Sequence, residues 1–229
     1  MKPIIVHSSE PITLFGGGDA NPETIARALE VASLVVAADG GANLAIANNI
    51  VPSAIIGDFD SVSAKSLAAV STDVHFKIEE QDSTDFDKAL RSIEAPLVLC
   101  VGFTGGRLDH QLAALNTLVA HPDKCCIILG PRELVFVAPR RLTIDVPIGS
   151  PASLFPMGPV SGKSKGLKWP IDAIAFSPRD RIGTSNEVSG LLELEFECPN
   201  MLLILPIDTL EAVIAALLSQ AGRWPSRGE

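Results

Sequence analysis

The chain has 229 residues, of which 47% are hydrophobic and 20% are charged, and its formal net charge is −9 at pH 7. This length suits one large domain or two modest ones with a substantial hydrophobic core. The negative charge argues against a binding surface for nucleic acids or anionic membranes, and a polyphosphate ligand would need a divalent cation to bind so acidic a protein.

The four cysteines, Cys100, Cys125, Cys126 and Cys198, form no C-x-x-C pair and have no histidine spacing suited to zinc. We therefore expect buried, reduced thiols in a reducing cytoplasm. The N-terminal apolar run is too short for a signal peptide, and no stretch approaches the ~20 apolar residues of a membrane span. A soluble, cytoplasmic protein without membrane or nucleic-acid partners is predicted.

Short apolar runs alternate with helical patterns through the first half of the chain. The predicted strands are 11–15, 33–39, 53–58, 74–78, 97–103 and 125–130. The predicted helices are 22–33, 42–48, 63–70, 86–93 and 112–120. Because strands alternate with helices, we expect right-handed crossovers and a mostly parallel sheet. The unbroken apolar runs fit strands that are buried on both faces.

The sequence changes character near Pro139, where short apolar runs are separated by clusters of Gly, Pro, Ser and Asn. The run LLELEFEC at 191–198 alternates as a half-solvated antiparallel strand should. We predict an α/β domain over 1–138 and an all-β sandwich or barrel of about six strands over 139–229. The β domain ends in a helix from Asp208 to Gln220, and the last eight residues are expected to fray.

The sequence GPVSGKS at 158–164 resembles a phosphate-binding P-loop. It is one residue short of the motif, and no helix is predicted to open at Lys163, so the helix dipole that cradles phosphate is missing. We therefore interpret the segment as a hairpin loop.

Acidic and glycine-rich segments follow several predicted strands. In an open parallel sheet, ligands bind at the carboxyl ends of the strands. Glycines allow backbone N–H groups to approach phosphate oxygens, and carboxylates suit a hard cation such as Mg²⁺. The segments are 16–19, 39–41, 57–60, 82–87 and 102–109.

Asp58 and Asp60 are the hardest of these acids to explain as helix caps, because Ser61 and Ser63 are available for capping. Residues two apart in an extended segment point the same way, so both carboxylates would face one site. A metal ion would relieve their repulsion.

The other polar residues of these segments have structural alternatives. Asp19 is expected to cap or precede a helix, and Asp87 to serve the helix that it begins. Asp39 could belong to a plain turn and Asp85 to a cap, about as readily as to a site. Arg107, inside a glycine-rich loop, is the best-placed cation for a phosphate group.

Three other functions are compatible with parts of this pattern. The run DFDSV fits the D-x-D-x-[TV] motif of haloacid-dehalogenase-type phosphatases, in which Asp58 would be the nucleophile, but two strand–helix units precede it here. A glycosyltransferase with a D-x-D motif would leave the other loops unexplained. A non-catalytic nucleotide-binding regulator would not need so many carboxylates.

The combination of motifs resembles the thiamin pyrophosphokinase family. The matching segments are AADGGAN (37–43), IIGDFDSV (55–62), DSTDFDKAL (82–90), GGRLDHQLAALNTL (105–118), GLKWPI (166–171) and SNE (185–187). The resemblance implies a catalytic α/β domain, a thiamin-binding and dimerising β-sandwich domain, and a homodimer with thiamin bound between subunits. It implies an Mg²⁺-dependent enzyme that converts ATP and thiamin into AMP and thiamin diphosphate.

The resemblance also assigns site residues by position. The catalytic acids would be Asp39, Asp58, Asp60 and Asp85, the last three of them holding Mg²⁺. The ATP-binding residues would be Gly105, Gly106, Arg107, Asp109 and Lys88. The thiamin-binding residues would be Trp169, Ser185 and Asn186.

Overall fold

The computed structural model describes residues 3–219 and 224–226. Two compact units divide this part of the chain. The first comprises the residues up to Thr117 together with Cys126–Pro131, and the second comprises Leu118–Cys125 with the residues from Arg132 onward.

The first unit is an α/β structure with a parallel sheet. Its strands are β1 (Val6–His7), β2 (Ile12–Phe15), β3 (Leu34–Ala38), β4 (Ala54–Gly57), β5 (His75–Lys77), β6 (Ile93–Glu94), β7 (Val98–Val101) and β8 (Cys126–Leu129). The helices between these strands are α1 (Pro22–Val31), α2 (Gly41–Ala47), α3 (Ala64–Ala68), α4 (Asp85–Arg91) and α5 (Leu108–Ala120). Six strands pair in parallel in the order β8-β7-β2-β3-β4-β5, while β1 pairs with β6 separately.

The central strand of this sheet, β2, pairs with β3 on one side and β7 on the other. All four residues of β2, β4, β7 and β8 are buried, as the unbroken apolar runs predict. The one polar residue of β2, Thr13, donates its hydroxyl to the carbonyl of Ala32 at 2.6 Å, which satisfies it in the core. Because the strands are parallel, their carboxyl ends meet at one edge.

Helix starts in this unit follow local capping chemistry. The side chain of Asn21 accepts the backbone N–H of Thr24 at 2.7 Å, and Pro22 occupies the first helical position. Ser63 caps α3 and Thr84 caps α4 in the same way. These caps hold the starts of α1, α3 and α4, whereas α2 begins after Gly40 without a side-chain cap.

The second unit is built of antiparallel strands. They are β9 (Glu133–Val137), β10 (Arg141–Ile144), β11 (Pro151–Pro156), β12 (Val160–Leu167), β13 (Ala175–Phe176), β14 (Gly183–Phe196) and β15 (Met201–Pro206), and helix α6 (Leu210–Ser219) follows. The order is β13-β12-β14-β11-β15-β9, with β10 also on β14. The long strand β14 pairs with β11 through its first part and with β10 and β12 through its second part. The predicted class, a parallel α/β part followed by an antiparallel β part, is confirmed.

Two sequence expectations about this unit change. The first of its seven strands, β9, precedes residue 139 and pairs with β15, so the β structure begins before residue 139. The GPVSGKS segment is not a P-loop, but its interpretation as a hairpin loop is wrong, because most of it belongs to β12. Gly162 lies against β14 so closely that a Cβ would be 2.5 Å from the carbonyl oxygen of Glu195.

The expected fraying of the last residues is wrong for Trp224. Its side chain is buried, with 9% exposure, and its indole N–H donates to the carbonyl of Ala138 at 2.9 Å. Residues 220–223 and 227–229 lie outside the described part of the chain. Trp224 thus anchors the C-terminal segment to the second unit.

We expect Trp224→Ala to lower the free energy of unfolding by about 3–5 kcal/mol, since it removes a large buried side chain and leaves a carbonyl without its donor. Urea unfolding followed by far-UV circular dichroism measures this. Trp169→Ala is the matched control: Trp169 is 54% exposed, and its loss should cost less than about 1 kcal/mol. Equal losses for the two variants would contradict the anchoring role.

The described residues contain no helix that is both long and apolar enough to cross a membrane. All four cysteines are free thiols, but only two are buried as expected. The Sγ atoms of the buried pair, Cys100 and Cys126, lie 3.3 Å apart on neighbouring strands.

Candidate active site

Four aspartates converge at the carboxyl edge of the parallel sheet. Asp39 follows β3, Asp58 and Asp60 follow β4, and Asp85 is the first residue of α4. One carboxylate oxygen from each lies within 4.8 Å of the others. Asp39 is buried, Asp58 and Asp85 are half-buried, and Asp60 is exposed. The structure therefore brings together the four acids that the sequence singled out, here called the aspartate cluster.

A buried lysine, Lys88, contacts the aspartate cluster. Lys88 is 2% exposed, and its Nζ donates to Oδ2 of Asp58 at 2.8 Å and to Oδ1 of Asp85 at 3.0 Å. Burial opposes the charged form of Lys88, but these hydrogen bonds outweigh burial and raise its pKa. The hydrogen bond from Lys88 to Asp58 lowers the pKa of Asp58. Lys88 is thus an internal counter-cation of the cluster.

Asp39 is the acid with the least contact with solvent. Its Oδ1 accepts the N–H of Phe59 at 2.7 Å and its Oδ2 accepts the N–H of Ser61 at 3.0 Å. Burial, and next the charge of Asp85, raise the pKa of Asp39. Gly57 allows Asp39 to lie this close to the end of β4, because a Cβ on residue 57 would lie 2.6 Å from the Cβ of Asp39. Asp39 therefore ties the loop after β4 to the end of β3.

Asn43, on α2, binds the same loop through both ends of its amide. Its Nδ2 donates to the carbonyl of Ser61 and its Oδ1 accepts the N–H of Ser63, both at 2.9 Å. No role is predicted for Asn43 from the sequence. The one indication in the sequence is that Asn43 lies in the run AADGGAN. Its hydrogen-bond partners, Ser61 and Ser63, are 18 and 20 residues away along the chain.

A cavity of about 720 Å³ lies at the same edge of the first unit. Asp39 and Asp85 line it, together with glycines that follow β2 and β7. The rings of Phe86 and Phe103 also line it and pack against each other, with their centroids 4.2 Å apart. The cavity thus joins carboxylates, glycine backbone and an apolar wall.

The glycine loop after β7 is held by Asp19, for which a position at or before a helix start was predicted. Oδ2 of Asp19 accepts the N–H of Gly106 at 3.1 Å. Gly105 and Gly106 have φ angles of 75° and 66°, which other residues adopt at a cost, and a Cβ on Gly105 would lie 2.7 Å from the Cβ of Asp19. Asn21 caps α1, so of the two structural positions expected for Asp19 it holds only the second and precedes that helix. Asp19 also orders the glycine loop.

Arg107 and Asp109 pair with each other at the mouth of this cavity. The Nε of Arg107 donates to Oδ1 of Asp109 at 3.1 Å and its Nη2 donates to Oδ2 at 2.5 Å. The hydrogen bond from Arg107 lowers the pKa of Asp109 to about 2. Both side chains are exposed, so the guanidinium is accessible to a ligand.

The expected structural role of Asp87 agrees with its contacts. Its Oδ2 accepts Nη1 of Arg91 at 2.6 Å, one helical turn away on α4. Arg91 also pairs with Glu80 at 2.7 Å and so ties α4 to the segment that precedes Asp85.

The residues predicted to bind thiamin lie in the second unit. Asn186 is buried, and its side chain accepts the N–H of Trp169 at 3.2 Å and donates to its carbonyl at 2.7 Å. This pair of bonds fixes the backbone of Trp169, whose indole is exposed, and Nζ of Lys168 lies 5.0 Å from the ring centroid. Ser185 has a φ of 63°, and its N–H donates to Oγ of Ser153 at 3.0 Å.

Comparisons with known proteins give a consistent result. The family model described as "Thiamin pyrophosphokinase, catalytic domain" matches residues 25–129, and "Thiamin pyrophosphokinase, vitamin B1 binding domain" matches residues 143–203. Thiamine pyrophosphokinase 1 of Arabidopsis thaliana is 31% identical over 193 residues, which cover 69% of this chain and 72% of the relative.

Solved structures share the fold. Thiamin pyrophosphokinase from Candida albicans superposes with a TM-score of 0.71 at 17% identity, over 91% of this chain and 95% of the other. The enzyme from Geobacillus thermodenitrificans gives a TM-score of 0.69 at 24% identity, over 86% and 96%. Since the two family models span more than half of the sequence and the Arabidopsis relative aligns with more than two thirds of it, the chain belongs to the thiamin pyrophosphokinase family.

Proposed function

We propose that this chain transfers a diphosphate group from ATP to the hydroxyl of thiamin and releases AMP and thiamin diphosphate. It is an enzyme of the transferase class, a thiamin diphosphokinase. The observation that carries the proposal is the aspartate cluster, which lies within the residues that match the family's catalytic domain and beside a glycine-lined cavity. No feature of the fold or of the matched families favours the phosphatase alternative with Asp58 as nucleophile.

The donor set of the cluster supports Mg²⁺ as the cofactor. Its oxygens are all carboxylate oxygens, and three of the four acids, Asp58, Asp60 and Asp85, have contact with solvent. Mg²⁺ is usually held by a few carboxylates, with waters and substrate phosphates completing its ligands. When bound, it would neutralise the negative charge of the transferred group.

The burial of Asp39 supports a different role for that acid. Both of its oxygens accept backbone N–H groups from the loop that carries Asp58 and Asp60. We assign to Asp39 the orientation of that loop, and to the three solvent-contacting acids the contacts with the metal and the reacting groups.

The glycine loop is the proposed phosphate-binding element for ATP. Gly105 and Gly106 carry no side chain that would keep a phosphate group from the backbone of this loop, and the hydrogen bond from the N–H of Gly106 to Asp19 holds the loop in place. Arg107 can exchange its exposed partner Asp109 for a phosphate group, since a guanidinium binds either one in two-point geometry. Lys88 pairs with Asp58 and Asp85 and so offsets part of the negative charge of the cluster.

The proposed thiamin-binding residues belong to the β domain. A thiazolium ring is a cation, and the exposed indole of Trp169 can stack on it. The bonds from Asn186 to the backbone of Trp169 support a fixed position for the indole, and Ser185 is the third proposed contact. We further propose that residues 1–138 form the catalytic domain and that residues 139–229 bind thiamin and form the dimer contacts. The proposed assembly is a homodimer with thiamin between its subunits, and the proposed location is the cytoplasm.

A product assay tests the reaction. With ATP, Mg²⁺ and thiamin, we expect AMP and thiamin diphosphate in equal amounts, resolved by ion-exchange chromatography. Omission of thiamin or chelation of the metal should stop the formation of AMP. ADP with thiamin monophosphate would overturn the proposal, and thiamin-independent release of phosphate that Asp58→Asn abolishes would favour the phosphatase.

A further inference from the structure

Two side chains from the segment 39–43 hold the backbone of the loop that carries Asp58 and Asp60. Asp39, at the start of this segment, accepts the N–H groups of Phe59 and Ser61. Asn43, at its end, donates to the carbonyl of Ser61 and accepts the N–H of Ser63. Backbone groups on both sides of Asp60 are thus bonded to side chains from one segment.

The loop needs this support because its backbone is strained. Phe59, between the two acids, has a φ of 70°, which is uncommon for a residue with a bulky side chain. Its ring packs edge-on against His75, with centroids 5.9 Å apart. A conformation of this kind persists only where neighbouring groups hold it.

The side chains of the serines in this loop are engaged elsewhere. The hydroxyl of Ser61 donates to Oδ1 of Asp60 at 2.7 Å, and Oγ of Ser63 accepts the N–H of Ser66 at 3.1 Å as the cap of α3. A carboxamide is the side chain that offers a donor and an acceptor side by side, as the carbonyl of Ser61 and the N–H of Ser63 require. An aspartate in place of Asn43 would put a negative oxygen against the carbonyl of Ser61.

We propose that Asn43 is a positioning residue of the metal site: its amide fixes the backbone after Asp60 and so sets the position of the Asp60 carboxylate relative to Asp58. This inference rests on the proposed function. Asn43 acts through the loop backbone, and its loss should weaken metal binding by a factor typical of groups that orient metal ligands, about 10–100-fold.

The experiment compares Asn43→Ala with Asn48→Ala in the full chain. Asn48 is a matched control, because it lies on the turn after α2 and its Nδ2 donates to the carbonyl of Leu44 at 2.9 Å, away from the cluster. Binding of Mn²⁺ alone is titrated by electron paramagnetic resonance, and deuterium uptake is measured in the metal-free proteins. The Mg²⁺ concentration for half-maximal rate and the KM for thiamin are then determined.

For Asn43→Ala we expect at least about 10-fold weaker Mn²⁺ binding, a similar rise in the Mg²⁺ requirement and a KM for thiamin within about twofold of the wild-type value. Deuterium uptake should rise in the segment 58–63 and stay unchanged in β3 and β7. Asn48→Ala should match the wild type in every measurement.

Mn²⁺ binding and uptake by Asn43→Ala that equal those of the wild type would overturn the inference and leave the proposed function intact. A wild-type protein that binds no Mn²⁺ and forms no AMP would instead overturn the proposed function. Asn43→Ser, which keeps a small polar side chain, is the second variant if Asn43→Ala does not fold. If neither variant folds, Asn43 is a folding residue and the inference is wrong.

Discussion

Lys88→Met is expected to lower the free energy of unfolding of the metal-free protein by about 2–4 kcal/mol at neutral pH. Lys88 is fully buried and bonds to two carboxylates of the aspartate cluster. Removal of one partner of a buried ion pair typically costs about 3–5 kcal/mol, because the remaining charge loses its compensation. Asp85 is one third exposed and can be hydrated, so the loss is reduced here.

The loss should depend on pH in a defined direction. Lys88 lowers the pKa of Asp58 below 3.8, so this stabilisation is present above 3.8 and is lost as the pH falls through the lowered pKa. The pKa of Lys88 is raised above 10.5, so its contribution is present below 10.5 and is lost as the pH rises through the raised value. The difference between wild type and Lys88→Met should therefore be largest between these limits and shrink outside them.

Urea unfolding of both proteins at a series of pH values measures this difference, with Mg²⁺ removed by chelation. Lys65→Met is the control, because Lys65 is an exposed lysine on α3, and its replacement should change stability by less than about 0.5 kcal/mol. A Lys88→Met protein as stable as the wild type, or a difference that grows at acid pH, would contradict the role of Lys88 as counter-cation. Added Mg²⁺ should stabilise the variant more than the wild type, since it would supply the missing positive charge.

Asp60→Asn is expected to reduce kcat/KM by about 100-fold or more at subsaturating Mg²⁺ and to leave thermal stability almost unchanged. Asp60 is the exposed member of the cluster, and the hydroxyl of Ser61 donates to its Oδ1 at 2.7 Å. The amide oxygen of asparagine can still accept that hydrogen bond. The charge of the proposed metal ligand is lost, and removal of one electrostatic contact in an active site commonly costs about 100–1000-fold in rate.

Initial rates over a range of Mg²⁺ concentrations test this expectation, and a shift of the curve to higher Mg²⁺ identifies a metal ligand. Asp180→Asn is a matched control, because Asp180 is also exposed and accepts a serine hydroxyl, from Ser177, at 2.6 Å. This control should leave rates and metal dependence unchanged. An unchanged Mg²⁺ curve for Asp60→Asn would remove Asp60 from the proposed ligands.

Local sequence was sufficient for the framework of the site. The alternation of apolar runs with capped helices predicted a parallel sheet, and the acids after the predicted strands had to meet at one edge because parallel strands end on the same side. Asp58 and Asp60 are therefore predictable as site residues from the strand pattern, whereas a turn or a cap explained Asp39 and Asp85 equally well and only the resemblance to the family added them to the site. The alternating run at 191–198 likewise predicted an antiparallel strand, since period-two burial is a local property.

Contacts between distant segments depend on the tertiary structure, because they arise from side chains whose partners are far along the chain. No local pattern indicates that the fold buries Lys88 between two carboxylates 30 and 3 residues away. Asp19 lies 87 residues from the glycine that it holds, and Trp224 lies 86 residues from the carbonyl that it binds. The strand pattern thus sufficed for the common edge and for Asp58 and Asp60, and the family resemblance supplied Asp39 and Asp85. The fold determined their charge balance and the side chains that hold them, because burial and long-range hydrogen bonds have no local pattern.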